Sequence, residues 1–171
     1  LAKEQRRFFR LVTWSVAGLD IAHQAPKSWR IPDKLCAMRR ELQRLRPDVL
    51  ALQECPGDGV CDAVPAGMKL VGSVEGHPEG CFTQLYCRPS LDMKRLALDK
   101  DAPAVAACCE VDGVEVMFVS AHLFPFPENA PERKKEVKQI LAKRSGRALV
   151  LMGDLNVRRE EVAPLCEEHG L

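Results

Sequence analysis

The segment AVAACCEVDGVEVMFVSAHL, residues 104–123, restricts the possible folds more than any other part of this sequence. It contains two apolar runs joined through Asp112-Gly113, and an Asp-Gly pair in that position is the strongest short-range signal for a β-hairpin. The rest of the chain alternates apolar runs with helical patterns, as α/β proteins do. An antiparallel hairpin inside such an alternation predicts an α/β sandwich with mixed sheets, and not a purely parallel sheet.

Further strands and helices are predicted on both sides of the hairpin. Aromatic, β-branched and apolar runs predict the other strands, at 8–18, 48–54, 68–74, 81–88, 91–98 and 148–152. Apolar residues at helical spacing predict a first helix before Pro47, with one face formed by Leu35, Met38, Leu42 and Leu45. A second helix is expected from Pro131 to about Arg144, burying Val137, Ile140 and Leu141, and a third from about Arg159 to Glu168.

The composition fits one domain, which we expect over 8–171 with a tail at 1–7. At 171 residues, with 46% hydrophobic and 29% charged residues, the chain can bury one sizeable core. Its net charge of +1 argues against an overall positive potential that would attract polyanions such as nucleic acids. The segments 1–50 and 132–144 are nevertheless locally basic. Those basic segments suit either phosphate contacts or solvated helix faces. No apolar run approaches the roughly 18 residues that a membrane span needs. We expect the protein to be a monomer.

The eight cysteines are interpreted as reduced and structural. The sequence has no Cys-x-x-Cys pair, and several cysteines lie in apolar runs, where a thiol packs as a small hydrophobe. A zinc site is the less favoured alternative. Reduced thiols indicate an intracellular compartment, the nucleus or the cytoplasm.

Polar residues occur where four of the predicted strands end. They are Thr13 and Ser15, Gln53 and Glu54, His122, and Asp154 with Asn156. If these strands end at one rim, the carboxylates could bind Mg²⁺, the histidine could contact a phosphate, and the amide could orient a water. Each element also has a plainer explanation: a solvated strand end, a rim histidine, or an Asx-turn that caps the next helix.

Four motifs in a fixed order carry a family resemblance. They are TWSVAGLD (13–20), RPDVLALQE (46–54), VSAHL (119–123) and GDLN (153–156). In this order they resemble the endonuclease/exonuclease/phosphatase superfamily, the metal-dependent, DNase I-like enzymes. FTQLY and GDLNVRREEV, with TWSVAGLD, are most similar to its tyrosyl-DNA phosphodiesterase 2 branch, which cleaves a phosphotyrosyl link at a DNA 5′ end. The resemblance implies a four-layer α/β sandwich and a phosphodiester substrate such as DNA.

The resemblance also implies roles for individual residues. Glu54 would be the ligand of Mg²⁺, with Mn²⁺ as the alternative ion. Asp154 and Asn156 would position and activate the attacking water, and His122 would contact the phosphate. Arg158 would bind a substrate phosphate, or else be a solvated residue at a helix start. Arg133, near the start of its helix, also matches the family, as a structural feature.

Two departures from the family pattern qualify these expectations. Ser15 stands where the family has asparagine in its opening strand motif, an amide that helps to hold the geometry of the metal site and the phosphate. Losing such a preorganised group can cost on the order of 10²–10³ in rate. The closing Asp-His pair of the family is not found, which predicts a domain truncated at its C-terminus. We therefore expect this chain alone to be marginally stable and poorly active. The alternative function is a catalytically impaired relative that binds a phosphate or a protein.

Overall fold

The computed structural model describes residues 9–16, 31–56, 61–76 and 79–170, without the side chains of Ile31 and Cys61. The predicted tail at 1–7 lies outside these residues. The strands are β1 Leu11–Ser15, β2 Val49–Pro56, β3 Lys69–Glu75, β4 Cys81–Cys87, β5 Lys94–Leu96, β6 Ala104–Val111, β7 Val114–His122 and β8 Ala148–Asp154. The helices are α1 Ile31–Leu45, α2 Ala130–Ala142 and α3 Arg159–His169. The described part of the chain contains no helix with the length and apolar character to cross a bilayer.

The strands form two mixed sheets, as the sequence predicts. The first sheet has the order β1-β2-β4-β3 and the second has the order β5-β6-β7-β8. Each sheet contains one parallel pair, β1 with β2 and β7 with β8, and its other pairs are antiparallel. The hairpin predicted at Asp112-Gly113 is the β6–β7 turn, where Val111 pairs with Val114 and both turn residues have positive φ. Both parallel pairs end at one rim, where Glu54 of β2 meets His122 and Asp154 of the second sheet.

Three hydrophobic clusters hold the layers together and confirm the four-layer sandwich. One lies between the sheets and includes Val49, Leu85, Val105 and Phe118. A second packs α1 on the first sheet through Met38 and Leu42, and a third packs the second sheet against α2 through Val137 and Ile140. Full burial of one such side chain is worth about 1.5–3 kcal/mol. The same packing fixes where the strands end and therefore where the rim lies.

Helix α2 buries charge as well as the expected apolar face. Val137 and Ile140 are buried as predicted, but Leu141 is only half-buried. Arg133 and Glu136 are instead buried beside them. Since buried charges need partners, α2 contributes a polar anchor that helical periodicity alone did not reveal.

Candidate metal and phosphate site

Three potential metal-binding side chains converge at one rim of the sandwich. Glu54 near the end of β2, His122 at the end of β7 and Asp154 at the end of β8 have ligand atoms within 4.8 Å of one another. His122 Nε2 lies 3.5 Å from Glu54 Oε1, and the β7–β8 register pairs His122 with Asp154. His122 is buried and both carboxylates are partly exposed. The structure thus brings these strand ends together as expected, while the role of each residue stays a prediction.

An irregularity in β2 turns Glu54 toward this rim. Up to residue 53, odd-numbered residues from Val49 onward face the opposite sheet and even-numbered residues face α1. Continued alternation would send Glu54 to the α1 side. Instead, the register against β4 shifts between Leu52 and Cys55, and Glu54 has a φ of 54°. The extra residue is accommodated as a β-bulge, so Glu54 lies beside His122.

Gly153 allows β8 to approach β7 immediately before Asp154. Its φ is +142°, and a Cβ at this position would lie 1.9 Å from the carbonyl oxygen of Ala121. Only glycine tolerates both the conformation and the contact. Just beyond, the Leu123 N–H donates to the Asp154 carbonyl at 3.0 Å. The glycine of the GDLN motif therefore brings the carboxylate against the neighbouring strand end.

Asn156 is held in a turn that joins β8 to the loop after β7. Its N–H donates to Asp154 Oδ1 at 3.3 Å, which is the Asx-turn considered as the plainer explanation. Its side-chain Nδ2 donates to the Leu123 carbonyl at 2.8 Å. The turn does not cap the next helix, because the N-cap of α3 is Arg158, two residues later, and it makes no side-chain cap. The turn instead fixes the orientation of the amide at the rim.

A buried polar bridge lies directly behind the rim, and the sequence interpretation did not give it a role. Gln53 is fully buried, and its Nε2 donates to Ser120 Oγ at 3.1 Å across the two sheets. Its Oε1 accepts from Thr13 Oγ1 at 3.2 Å. Gln53 and Ser120 precede Glu54 and His122 by one and two residues, respectively. The available signal was a glutamine at an inward position of an otherwise apolar strand.

The sequence is similar to a curated protein, although it matches no family model. Tyrosyl-DNA phosphodiesterase 2 of Homo sapiens is 26% identical over 182 residues, covering 94% of this chain and 45% of the human protein. The chain therefore spans less than half the length of the relative that it matches.

Solved structures share the fold. The D. rerio TDP2 structure complexed with single-strand DNA product has a TM-score of 0.67 and 23% identity, covering 91% of this chain and 63% of that chain. The endonuclease domain of TRAS1, a telomere-specific non-LTR retrotransposon, has a TM-score of 0.64 and 12% identity, covering 95% of this chain and 71% of that chain. The chain has the DNase I-like fold of the endonuclease/exonuclease/phosphatase superfamily. The resemblance seen in the four motifs, to this superfamily and its tyrosyl-DNA phosphodiesterase 2 branch, is thereby confirmed.

The two remaining predicted site residues of this DNase I-like chain differ in their surroundings. Ser15 ends β1, is half-buried, and pairs in register with Gln53, on the same face as Thr13. Arg158 is exposed at the start of α3. Their substrate-binding roles stay predictions.

The donor set at the rim of the DNase I-like sandwich fits a hard divalent cation. Glu54 and Asp154 offer carboxylate oxygens, which such ions prefer, and these ions usually take only one or two carboxylates together with waters and substrate phosphate. The imidazole of His122 is a poorer ligand for such an ion and a good hydrogen-bond partner for a phosphate. This cluster, the one metal-ligand group found among the described residues, contains no cysteine. The seven cysteines with described side chains are free thiols, which fits the reduced interpretation.

A buried arginine anchors the loop that leaves the rim after His122. Arg133 is fully buried and binds both carboxylate oxygens of Glu161 in α3, at 2.6 and 3.0 Å. This pairing lowers the pKa of Glu161. Glu136 accepts the Phe124 N–H at 3.1 Å, and burial raises the pKa of Glu136. The expected structural role of Arg133 agrees with these contacts.

Proposed function

We propose that this chain forms part of a Mg²⁺-dependent phosphodiesterase that acts on DNA ends, with Mn²⁺ as the alternative ion. The observation that supports this most directly is the convergence of Glu54, His122 and Asp154 within 4.8 Å at the rim. Similarity to tyrosyl-DNA phosphodiesterase 2, and a D. rerio TDP2 structure that holds a single-strand DNA product, support DNA as the substrate. An intracellular location, in the nucleus or the cytoplasm, and a monomeric state belong to the same proposal.

Glu54 and Asp154 would hold the cation. A divalent ion bound there stabilises negative charge on the scissile phosphate and on the leaving oxygen. The β-bulge that turns Glu54 toward the rim and the close approach at Gly153 that brings Asp154 there support this role. Both carboxylates are partly exposed, so a phosphate of the substrate can reach them.

The remaining rim residues would handle the phosphate and the attacking water. His122 lies beside Glu54 and pairs in strand register with Asp154, and its ring would donate a hydrogen bond to a phosphate oxygen. Asp154 can accept a proton from a water, and the amide of Asn156, fixed through Leu123, can orient that water. Arg158, exposed next to this turn, would bind a neighbouring phosphate of the strand.

Three arginines of the basic helices make contacts within the protein. Arg39 donates to the Asp62 carbonyl from its Nε at 2.7 Å, and Arg44 binds the Glu41 carboxylate on its own helix. Arg133 is buried. These contacts favour solvated or structural roles for these three arginines.

Cation binding and cleavage together test the proposal. Mn²⁺ binding is followed by electron paramagnetic resonance, and cleavage by a panel of 5′-phosphotyrosyl DNA, abasic duplex and a simple phosphodiester, with and without Mg²⁺. Glu54→Gln and Asp154→Asn should each weaken Mn²⁺ binding and lower any cleavage by about 10²-fold or more. Glu110→Gln, an exposed glutamate of β6, is the matched control. Equal Mn²⁺ binding by Glu54→Gln and Glu110→Gln would refute the proposed site.

Ser15 favours a second candidate, a catalytically impaired relative that binds a phosphorylated ligand or a protein. Ser15→Asn restores the residue that the family pattern has at this position. If the proposed hydrolase is limited by Ser15, this change should raise cleavage of one substrate by about 10²-fold. No change in cleavage after Ser15→Asn would mean that Ser15 does not limit the hydrolase, and would remove the observation that favours this second candidate.

A further inference from the structure

Phe126 has the most strained backbone conformation of the loop that leaves the rim after His122. Its φ is +70° and its ψ is 148°, close to a region of backbone space that is essentially restricted to glycine. A bulky residue with positive φ is a genuine outlier. Its side chain gains little in return from packing, because 66% of the residue is exposed to solvent. Folding alone therefore gives no reason for a phenylalanine here.

The loop of residues 123–126 is anchored along its whole length. It begins at Leu123, whose N–H and carbonyl both bond to the Asp154–Asn156 turn. The Phe124 carbonyl accepts from Arg133 Nη1 at 3.0 Å, and the Pro125 carbonyl accepts from Asn129 Nδ2 at 2.6 Å. Strained conformations persist where the surroundings over-determine them, and they cluster at ligand-binding sites.

Phe126 itself is held by the same buried arginine. Its carbonyl accepts from Arg133 Nη1 at 2.5 Å and from the Asn129 N–H at 3.3 Å. Arg133 is fully buried and is fixed in turn by Glu161. The backbone is thus clamped while the ring faces water, which is the arrangement of a rigid, preorganised contact surface.

Phe126 is close in sequence to the rim residue His122. Phe126 is four residues beyond His122, and four residues of extended chain span at most roughly 14 Å. A nucleotide next to the scissile phosphate carries its base at a comparable distance. Single-stranded nucleic acids are commonly bound by aromatic side chains on which bases stack.

We propose that Phe126 is a substrate-binding residue whose ring stacks on a nucleobase of the strand that enters the rim. This inference rests on the proposed function and assigns to that site a contact outside the metal cluster. The residues proposed to handle the phosphate, such as His122 and Arg158, would not contact the base. Phe126 would therefore let the site distinguish a nucleotide chain from a phosphodiester that has no bases. It would contribute affinity with little sequence preference, because every base has a π face.

The test combines stability and binding, which should change in opposite directions. Phe126→Gly relieves the backbone strain and removes a ring that buries little, so the melting temperature should rise by roughly 2–4 °C. The same change should weaken binding of a fluorescent single-stranded oligonucleotide, measured by anisotropy in Ca²⁺, by about 5- to 150-fold. Phe126→Trp should retain binding. Val114→Ala, at an exposed apolar residue of the β6–β7 hairpin, is the matched control and should leave binding unchanged.

A second oligonucleotide isolates the base contribution. An oligomer of the same length with abasic sugars keeps the phosphates and lacks the rings, so Phe126→Gly should not alter its binding. Equal loss with both oligomers, a lower melting temperature for Phe126→Gly, or no base-dependent binding by the unsubstituted protein would each overturn the proposal. Binding of a protein partner without binding of the oligonucleotide would also overturn it. Failure of the metal site appears separately, in the Mn²⁺ signal of Glu54→Gln.

Discussion

Replacing Gly153 by alanine should separate the two sheet strands that build the rim. The new Cβ would lie 1.9 Å from the Ala121 carbonyl oxygen, where real Cβ contacts essentially never fall below 3.0 Å. The β8 backbone must therefore withdraw by about 1 Å, which weakens the neighbouring β7–β8 hydrogen bonds at about 0.5–1.5 kcal/mol each. The positive φ adds about 1–3 kcal/mol. We expect a total destabilisation of about 3–5 kcal/mol, a large fraction of the stability of an ordinary domain.

Gly146→Ala provides the matched control for this prediction. Gly146 has a φ of +79° in the turn before β8, and a Cβ there would meet nothing within 4 Å. Gly146→Ala should therefore be destabilised only by backbone strain, by about 1–3 kcal/mol. Urea unfolding of both variants measures the difference, with an expected further fall in midpoint of about 1 M for Gly153→Ala. Mn²⁺ binding should also fall only in Gly153→Ala, because Asp154 follows Gly153. Equal midpoints and equal Mn²⁺ binding would refute the close approach of the two strands.

Three further predictions concern buried groups. Gln53→Leu leaves the Ser120 hydroxyl buried without its donor and should cost about 1–3 kcal/mol in urea unfolding; an unchanged midpoint would contradict the bridge. Burial raises the pKa of Glu136, so this carboxyl stabilises the fold at low pH and loses that contribution as pH rises through its folded pKa. Glu136→Gln should therefore be more stable than the parent at about pH 7, with no difference near pH 3. Burial raises the pKa of Cys109 to about 11, so its thiol should react slowly at about pH 8. Iodoacetamide should therefore label the exposed Cys36 more than tenfold faster than it labels Cys109, as peptide mass spectrometry can show.

Local patterns in the sequence predicted the elements of this fold well. The Asp112-Gly113 turn, the helix before Pro47 and the apolar run before Gly153 each depend on residues close together in the chain, and each appears in the structure. The strand at 91–98 was predicted too long, since β5 covers only Lys94–Leu96. Turn chemistry and periodicity are local properties, and a sequence shows them directly.

The order of the polar strand ends also predicted the rim, but local patterns could not predict its geometry. Period-two alternation would place Glu54 on the α1 side, and only the bulge against β4 brings it beside His122. A bulge arises from the pairing of two strands far apart in sequence.

The strand and helix types and the hairpin could be read from the sequence, because they follow from propensity and spacing between near neighbours. The tertiary structure alone decided which polar residues became buried partners. Gln53 spans both sheets to Ser120, and Arg133 joins α2 and α3 to the loop of Phe126. A buried polar group is stable only when a partner arrives from elsewhere in the fold. The distances between segments remote in sequence determine such partners, and no local pattern contains those distances.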